Sequence, residues 1–404
     1  MPHWRRTLYT IWFTEFIALV GFYFVAPFIP YYIQELGVTD PKQVALWAGL
    51  SSSGLSLCLA IMAPVWGLLA DRHGRKLMVM RATFAGAVLL ALMGLVTNVQ
   101  QLILLRCLQG ILTGTIAAAT TLVASVTPKE ETGAALGSLQ TAIFLGTSLG
   151  PLLGGFTGDR LGYRPSFFVT GVLLFLSGVL VALFVREDFH PPEKAAHSKR
   201  PSYGQATRFL FASGSALVAV FAARIVLRAG TQIITPVLPL FVQSLLPLEA
   251  RVATIAGIIS GASAVGSALG SPLIGRWGDK AGHRRLLIAS SLMAALCYLP
   301  QAFAPNPTWL VFWQLLTGFA VGGTLSTLTA LLVQFSPKGR EGMIFGLDSS
   351  VVGLANAIGP MAGASIAAGF GLQAPFILST AVLGFGALVV ILWVREKTRE
   401  PGHA

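Results

Sequence analysis

Five charged residues stand inside long apolar runs: Glu15, Arg106, Arg224, Arg228 and Asp348. At the centre of a membrane helix each costs about 2.5–3.5 kcal/mol on insertion scales, so each is expected to face a cavity or a partner. Glu15 and Asp348 are carboxyls that can exchange a proton. A guanidinium cannot do so at usable pH, but it can hold an acid or an anion. Asp348 reads in two ways: as a proton site, or as a capping and loop-pairing residue near the end of its run. All six histidines (His3, His73, His190, His197, His283 and His403) fall outside the apolar runs. Proton traffic through a membrane would therefore run through carboxylates.

A polar stripe accompanies these charges. Arg224, Arg228, Thr231, Gln232 and Thr235 recur at helical spacing on one face, which in a membrane should meet water or substrate. Glu15, Leu19, Phe22, Tyr23 and Ala26 make a more aromatic face near the N-terminus. Arg106, Gln109 and Thr113 share a third. A cavity with aromatic and polar sides suits an amphipathic organic molecule better than a metal ion or a small anion. Phe22 and Tyr23 either line such a cavity or pack between helices.

The supporting elements follow from composition. The chain has 404 residues, 54% hydrophobic and 11% charged, with a mean hydropathy of +0.73. Soluble domains carry about 25% charged residues, so this is an all-α membrane protein of the multi-pass kind. Its net charge of +12 punctuates apolar runs and does not form a basic domain, which argues for a topology signal and against nucleic-acid binding. Cys58, Cys107 and Cys297 have neither metal-site nor disulfide spacing; no metal and no cofactor are expected. The first run follows Arg5-Arg6, lacks a small-residue cleavage site, and reads as a membrane helix.

Spans of about 20 apolar residues fit twelve times, near 8–33, 44–69, 77–97, 102–126, 134–157, 165–185, 210–244, 252–275, 286–304, 308–333, 342–369 and 374–394. With both termini cytoplasmic, only Lys42, Arg160, Arg164 and Arg251 fall outside. Arg106, Arg224 and Arg228 lie in spans, and the rest of the 28 basic residues are cytoplasmic. A polar linker, 186–208, separates two six-helix bundles, 1–185 and 209–404.

These halves repeat. Gly67, Asp71 and Gly74 recur as Gly275, Asp279 and Gly282; Gly21, Pro27 and Pro30 as Gly230, Pro236 and Pro239; Leu102, Gly110 and Gly114 as Leu310, Gly318 and Gly322; Gly150, Pro151 and Gly154 as Gly359, Pro360 and Gly363. Such an array predicts two pseudo-symmetric bundles about an axis along the membrane normal.

Gly67-x-x-x-Asp71-Arg72-x-Gly74-Arg75-Lys76 resembles the loop motif of the major facilitator superfamily. Leu102-x-x-x-Arg106-x-x-Gln109-Gly110 is similar to its helix 4 motif. Gly146-x-x-x-Gly150-Pro151-x-x-Gly154-Gly155 and Gly21-x-x-x-x-x-Pro27-x-x-Pro30 resemble motifs of its drug:proton antiporters. Gln314 stands in the second half where Arg106 stands in the first, and Ala355 replaces the counterpart of Gly146, so the second copies have drifted. The resemblance implies a cell-membrane transporter that exports lipophilic, drug-like compounds against protons by alternating access. It implies a role for Arg106 in proton coupling, and central-cavity positions for the spans carrying Glu15 and Arg224. These two are repeat-related and could face each other, as a fixed pair or as partners exchanged between states. It also implies that Asp71 and Asp279 latch onto the starts of the eleventh and fifth spans when the cytoplasmic side is shut. Gly146, Gly150, Pro151, Gly154 and Gly155 would form a bending or packing interface.

Other readings stay open: a proton-coupled carrier of a sugar, amino acid, other metabolite or lipid-related substrate, or a receptor or scaffold on the same fold. Three arginines against two acids in the spans leave room for anionic substrates. The chain carries no paired catalytic carboxylates, H-E-x-x-H, G-x-S-x-G or P-loop, so an enzyme and an ATP-driven pump are both disfavoured. The partners expected are a small-molecule substrate, protons and the bilayer, and the expected state is a monomer.

Overall fold

With no water in a bilayer to satisfy the backbone, apolar runs of this length must close their hydrogen bonds internally, and they are helices. The structure, a computed structural model, describes residues 3–128, 130–185, 187, 215–247, 250–336 and 341–394. In the first half lie α1 (His3–Phe24), α2 (Ile29–Glu35), α3 (Pro41–His73), α4 (Arg75–Met93), α5 (Val99–Leu112), α6 (Thr115–Val126), α7 (Thr132–Leu161) and α8 (Tyr163–Phe184). In the second lie α9 (Ser215–Gln232), α10 (Leu238–Ser244), α11 (Val252–Ala281), α12 (His283–Tyr298), α13 (Pro307–Phe335), α14 (Glu341–Phe370) and α15 (Ala374–Trp393). Among the described residues, 11 stretches are long and apolar enough to cross a membrane. The predicted span 210–244 begins outside the described residues and continues as α9 and α10. The predicted linker 186–208, apart from Glu187, also lies outside them.

Packing obeys the repeat. Helix α1 packs on α7 and α8 as α9 packs on α14 and α15; α3 packs on α5 as α11 packs on α13; α4 packs on α8 as α12 packs on α15. The halves meet mainly along α3 with α14 and α7 with α11. Each of these four helices contains an internal proline, Pro64, Pro151, Pro272 or Pro360. Phe28, Tyr32, Met93, Phe167 and Leu174 fill one core of the first half; Phe241, Leu310, Leu328, Phe376 and Leu383 fill that of the second.

One turn is used four times. Gly74, Gly162, Gly282 and Gly371 have φ of 93°, 89°, 93° and 92°, left-handed values that favour glycine. Each follows one of the four proline-bearing helices. Gly74 and Gly282 lie on one face, called here the basic face; Gly162 and Gly371 lie on the opposite, far face. Beyond Gly74, Lys76 Nζ donates to the Ala182 carbonyl at the end of α8. Its repeat mate Arg284 donates to the carbonyls of Ile391 and Val394 at the end of α15. Glu187 accepts from the first amides of α4, Arg75 N at 2.9 Å and Lys76 N at 2.7 Å, an anion at a helix N-terminus.

The predicted single span 102–126 is two helices. It breaks at Thr113-Gly114, where Gly114 has φ +115°. The break frees the Ile111 carbonyl, and a side chain takes it up: Trp66 Nε1 donates to Ile111 O at 2.6 Å. Gln109 O accepts from both the amide and Oγ1 of Thr113, the latter at 2.7 Å. The repeat mate Gly322 lies inside continuous α13, where a Cβ would run into Ser267 of α11. The same residue type thus serves a break in one half and a close helix contact in the other. Gly114→Ala should cost about 1–2 kcal/mol, the penalty for a left-handed L-residue. The check is thermal stability of the purified protein, which should fall while Gly346→Ala, in open space, leaves it unchanged.

Candidate functional site

The break in the α5–α6 span places Thr115 at the start of α6, beside α1. Thr115 Oγ1 donates to Glu15 Oε1 at 2.7 Å. Glu15 is 1% exposed, and its other oxygen is buried without a partner. Arg106 is buried one helix away and donates through Nη1 to Gln109 Oε1 at 3.0 Å, while its Nε has no partner. Arg106 is thus held by a neutral amide one turn along α5, while Thr113 stands past the end of that helix, at the break.

The predicted opposition of Glu15 and Arg224 is not what the structure contains. Arg224 Nη2 donates to Asp348 Oδ2 of α14 at 2.9 Å. The reason is local: Thr115 occupies one Glu15 oxygen, and Asp348 stands closer to α9 than α1 does. The Arg224–Asp348 link is a single bond. Arg224 Nε and Nη1 and Asp348 Oδ1 are buried and unpartnered. A pair serving stability alone would be bidentate with its remaining atoms satisfied.

One turn further along α9, Arg228 Nε donates to Asn356 Oδ1 at 2.8 Å. Arg224, Arg228 and Thr231, with Thr324, Val321 and Leu328 of α13 and Val352 of α14, line a cavity of about 150 Å³. Tyr23 of the first half lies within electrostatic reach of Arg228 and is 42% exposed.

The rest of the predicted stripe does not continue around that cavity. Helix α9 ends at Gln232, so the helical phase that would have aligned Thr235 is lost; Thr235 sits exposed in the following turn. Gln232 packs against Gly359 of α14. Phe22 turns into the first half and packs against Gly86 of α4. Three residues at the site were missed by sequence reasoning: Thr115, Asn356 and Thr324. A polar side chain between glycines and alanines, as Asn356 is, was the available signal.

The glycines of the Gly146–Gly155 motif on α7 divide their work. A Cβ on Gly146, Gly150 or Gly154 would collide with Leu19, Tyr23 or the Phe24 carbonyl of α1, so these three seat α7 on α1. Gly155 and Pro151 instead face α11, against the Ala253 carbonyl and Gly257.

Along both inter-half helix pairs the contact is one-sided. Toward the far face, Gly49 abuts Ala364 and Pro360, and Gly155 abuts Ala253; Gly353 abuts Ala60 near the middle of the α3–α14 pair. Gln34 and Gln243, repeat mates, exchange amide bonds at 2.9 and 3.1 Å, and Tyr31 donates to Pro239 O at 2.6 Å. Toward the basic face fewer such close contacts are made. A methyl group on Gly67, Gly133, Gly137 or Gly346 would meet no atom within 4 Å. Asp279 is 73% exposed in its side chain and lies 3.3 Å from His283 of its own half, while the N-terminus of α7 has no side-chain cap. The Asp71 side chain, the other expected latch, lies outside the described residues. Arg72 is exposed on this face. The cross-half hydrogen bonds of Gln34, Gln243 and Tyr31 therefore gather toward the far face, and the expected contact of Asp279 with the start of α7 is not made.

A family model described as Major Facilitator Superfamily matches residues 11–255 and 220–404. The chain is 35% identical over 395 residues to "Multidrug resistance protein MdtG" of Dickeya zeae, covering 98% of this chain and 96% of that one. It is 35% identical over 394 residues to the protein of the same name from Enterobacter lignolyticus, covering 98% and 93%. Among solved structures, a bacterial homolog to the human lysosomal transporter Spinster, inward-facing and unoccupied, superposes with a TM-score of 0.79 at 16% identity, covering 97% of each chain. The nucleoside transporter NupG superposes at 0.79 and 14% identity, covering 97% and 100%.

Proposed function

The chain belongs to the major facilitator superfamily, and from that premise we propose that it exports lipophilic, drug-like compounds in exchange for protons, by alternating access. It is a secondary transporter of the inner membrane, multi-pass and not an enzyme. In our reading it has twelve spans, the twelfth supplied by α9 and α10, in bundles 1–185 and 209–404 joined by 186–208. Its termini and basic face are cytoplasmic, which the distribution of Lys and Arg supports. It acts as a monomer, without a cofactor, on the proton gradient.

The observation that carries this reading is the one-sided contact between halves: hydrogen bonds and glycine-seated contacts gather toward the far face and grow fewer toward the basic face, with four charges buried and Arg228 half-buried between. Such a geometry is one of the two states that alternating access requires. Glu15, with one oxygen on a hydroxyl and the other unpartnered, is the proton carrier in this reading. Arg224–Asp348 is a pair that substrate or water can divide, and Arg106 orders the first half around Gln109. Inverted membrane vesicles test the cycle. A fluorescent lipophilic compound should accumulate when a proton gradient is imposed and leak away when a protonophore collapses it. Accumulation on ATP with the gradient collapsed would contradict the reading.

One observation narrows the substrate. Arg224 has a carboxylate partner, whereas Arg228 has a neutral amide. The cavity thus keeps one positive charge among apolar walls and threonines, which suits an amphipathic compound with an acidic group. Arg228→Ala should weaken binding of such a compound by about tenfold, the worth of a lost charge-assisted hydrogen bond. A neutral analogue should bind as before. Titration of both by fluorescence quenching is the check.

A further inference from the structure

The turn at Gly67–Gly74 has a third copy that the half-chain repeat does not explain. Gly155-x-x-x-Asp159-Arg160-x-Gly162 reproduces Gly67-x-x-x-Asp71-Arg72-x-Gly74 on the opposite face of the protein. Its carboxylate is engaged across the halves. Asp159, at the end of α7, accepts from Ala253 N at 3.2 Å and from Thr254 N at 2.6 Å, two first-turn amides of α11. Thr254 Oγ1 returns a bond to Gly155 O at 3.4 Å.

A bland reading is that Asp159 is only a turn residue that happens to lie near a helix start. The fourth copy of the turn speaks against it. Three residues before Gly371, where Asp159 stands relative to Gly162, the chain has Ala368. The helix that this turn faces, α3, does not need a carboxylate, because Asp40 caps it from within the same half and accepts from Lys42 N at 3.1 Å. Helix α11 has Arg251 at the capping position and no side-chain cap of its own. The repeat-related helix starts of α3 and α11 therefore each receive one carboxylate, in cis on α3 and from the other half on α11. The anion also suits the positive end of the helix dipole. Only the second arrangement must break if the halves separate at this face.

We infer that Asp159 is the latch of the far face: its carboxylate, seated on the α11 amides of the opposite half, holds the far side shut and lets go when that side opens. This rests on the alternating-access reading. Opening would also part Gln34 from Gln243 and Tyr31 from the Pro239 carbonyl, which are neutral bonds of the same closed face. Asp159 supplies the charge-assisted share.

The test uses the full chain in proteoliposomes, with Cys58→Ser, Cys107→Ser and Cys297→Ser as background and Gln34→Cys with Gln243→Cys as a reporter pair. A short bifunctional maleimide should join the pair rapidly at rest and more slowly during turnover. With Asp159→Asn added, the resting rate should fall about tenfold, the effect of losing charge-assisted bonds. Asp159→Glu should restore most of it. Equal rates for Asp and Asn overturn the latch, as does a Glu variant as slow as Asn, since then bulk and not charge matters. If the reporter protein with Asp159 intact shows the same rate at rest and during turnover, alternating access itself fails, a result distinct from equal rates in a protein that visibly cycles.

Discussion

Glu15→Gln should abolish proton-coupled transport while leaving the protein folded and able to bind substrate. The amide has nearly the shape of the acid, and it can still accept from Thr115 through its oxygen. What it cannot do is exchange a proton at the atom corresponding to the buried, unpartnered oxygen. Among the described residues no other carboxyl is buried in the first half, so gradient-driven export should fall to background. Facilitated exchange of substrate without a gradient should persist. Thr115→Val is the milder companion: it removes the hydroxyl that fixes Glu15 and should slow export without uncoupling it.

Asp348→Asn should have the largest effect on stability. It leaves Arg224 buried at 6% exposure beside a neutral amide. Breaking a buried pair from one side costs about 3–5 kcal/mol, because the remaining charge is stranded in a medium that does not solvate it. Thermal inactivation in detergent should therefore move to clearly lower temperature. Removing both charges, as in Arg224→Met with Asp348→Leu, should recover most of that loss, since a well-packed apolar pair often matches a buried ion pair. Transport should not return with it. A double variant as unstable as the single one would mean that the pair's value lies in its shape and not in its charge balance.

The large plan of the molecule was readable from Gly, Pro and charge placement because those residues act locally. A glycine with φ near +90° must end its helix whatever surrounds it, so the turns at Gly74 and Gly282 could be placed from spacing alone. Partners were harder. Arg224 and Asp348 are 124 residues apart, and no periodicity links them; repeat symmetry pointed instead to Glu15, which Thr115 had taken. The break at Gly114 escaped notice because its mate Gly322 sits in an unbroken helix, so the glycine itself does not decide. Phe22 and Tyr23 are neighbours with opposite fates, one packed on Gly86 and the other within reach of Arg228, and side-chain direction one residue apart on a helix explains the difference. The copy at Gly155–Gly162 was present in the sequence, yet a comparison at half-chain offset passes over it, since its relation to Gly67–Gly74 lies within one half.

The most direct test is a flux measurement. Proteoliposomes holding the full chain and a pH-sensitive dye are given a lipophilic acidic compound under an imposed proton gradient. The wild-type protein should move protons on addition of the compound, and Glu15→Gln should move none while still binding it. Proton movement by Glu15→Gln at the wild-type rate would contradict the account.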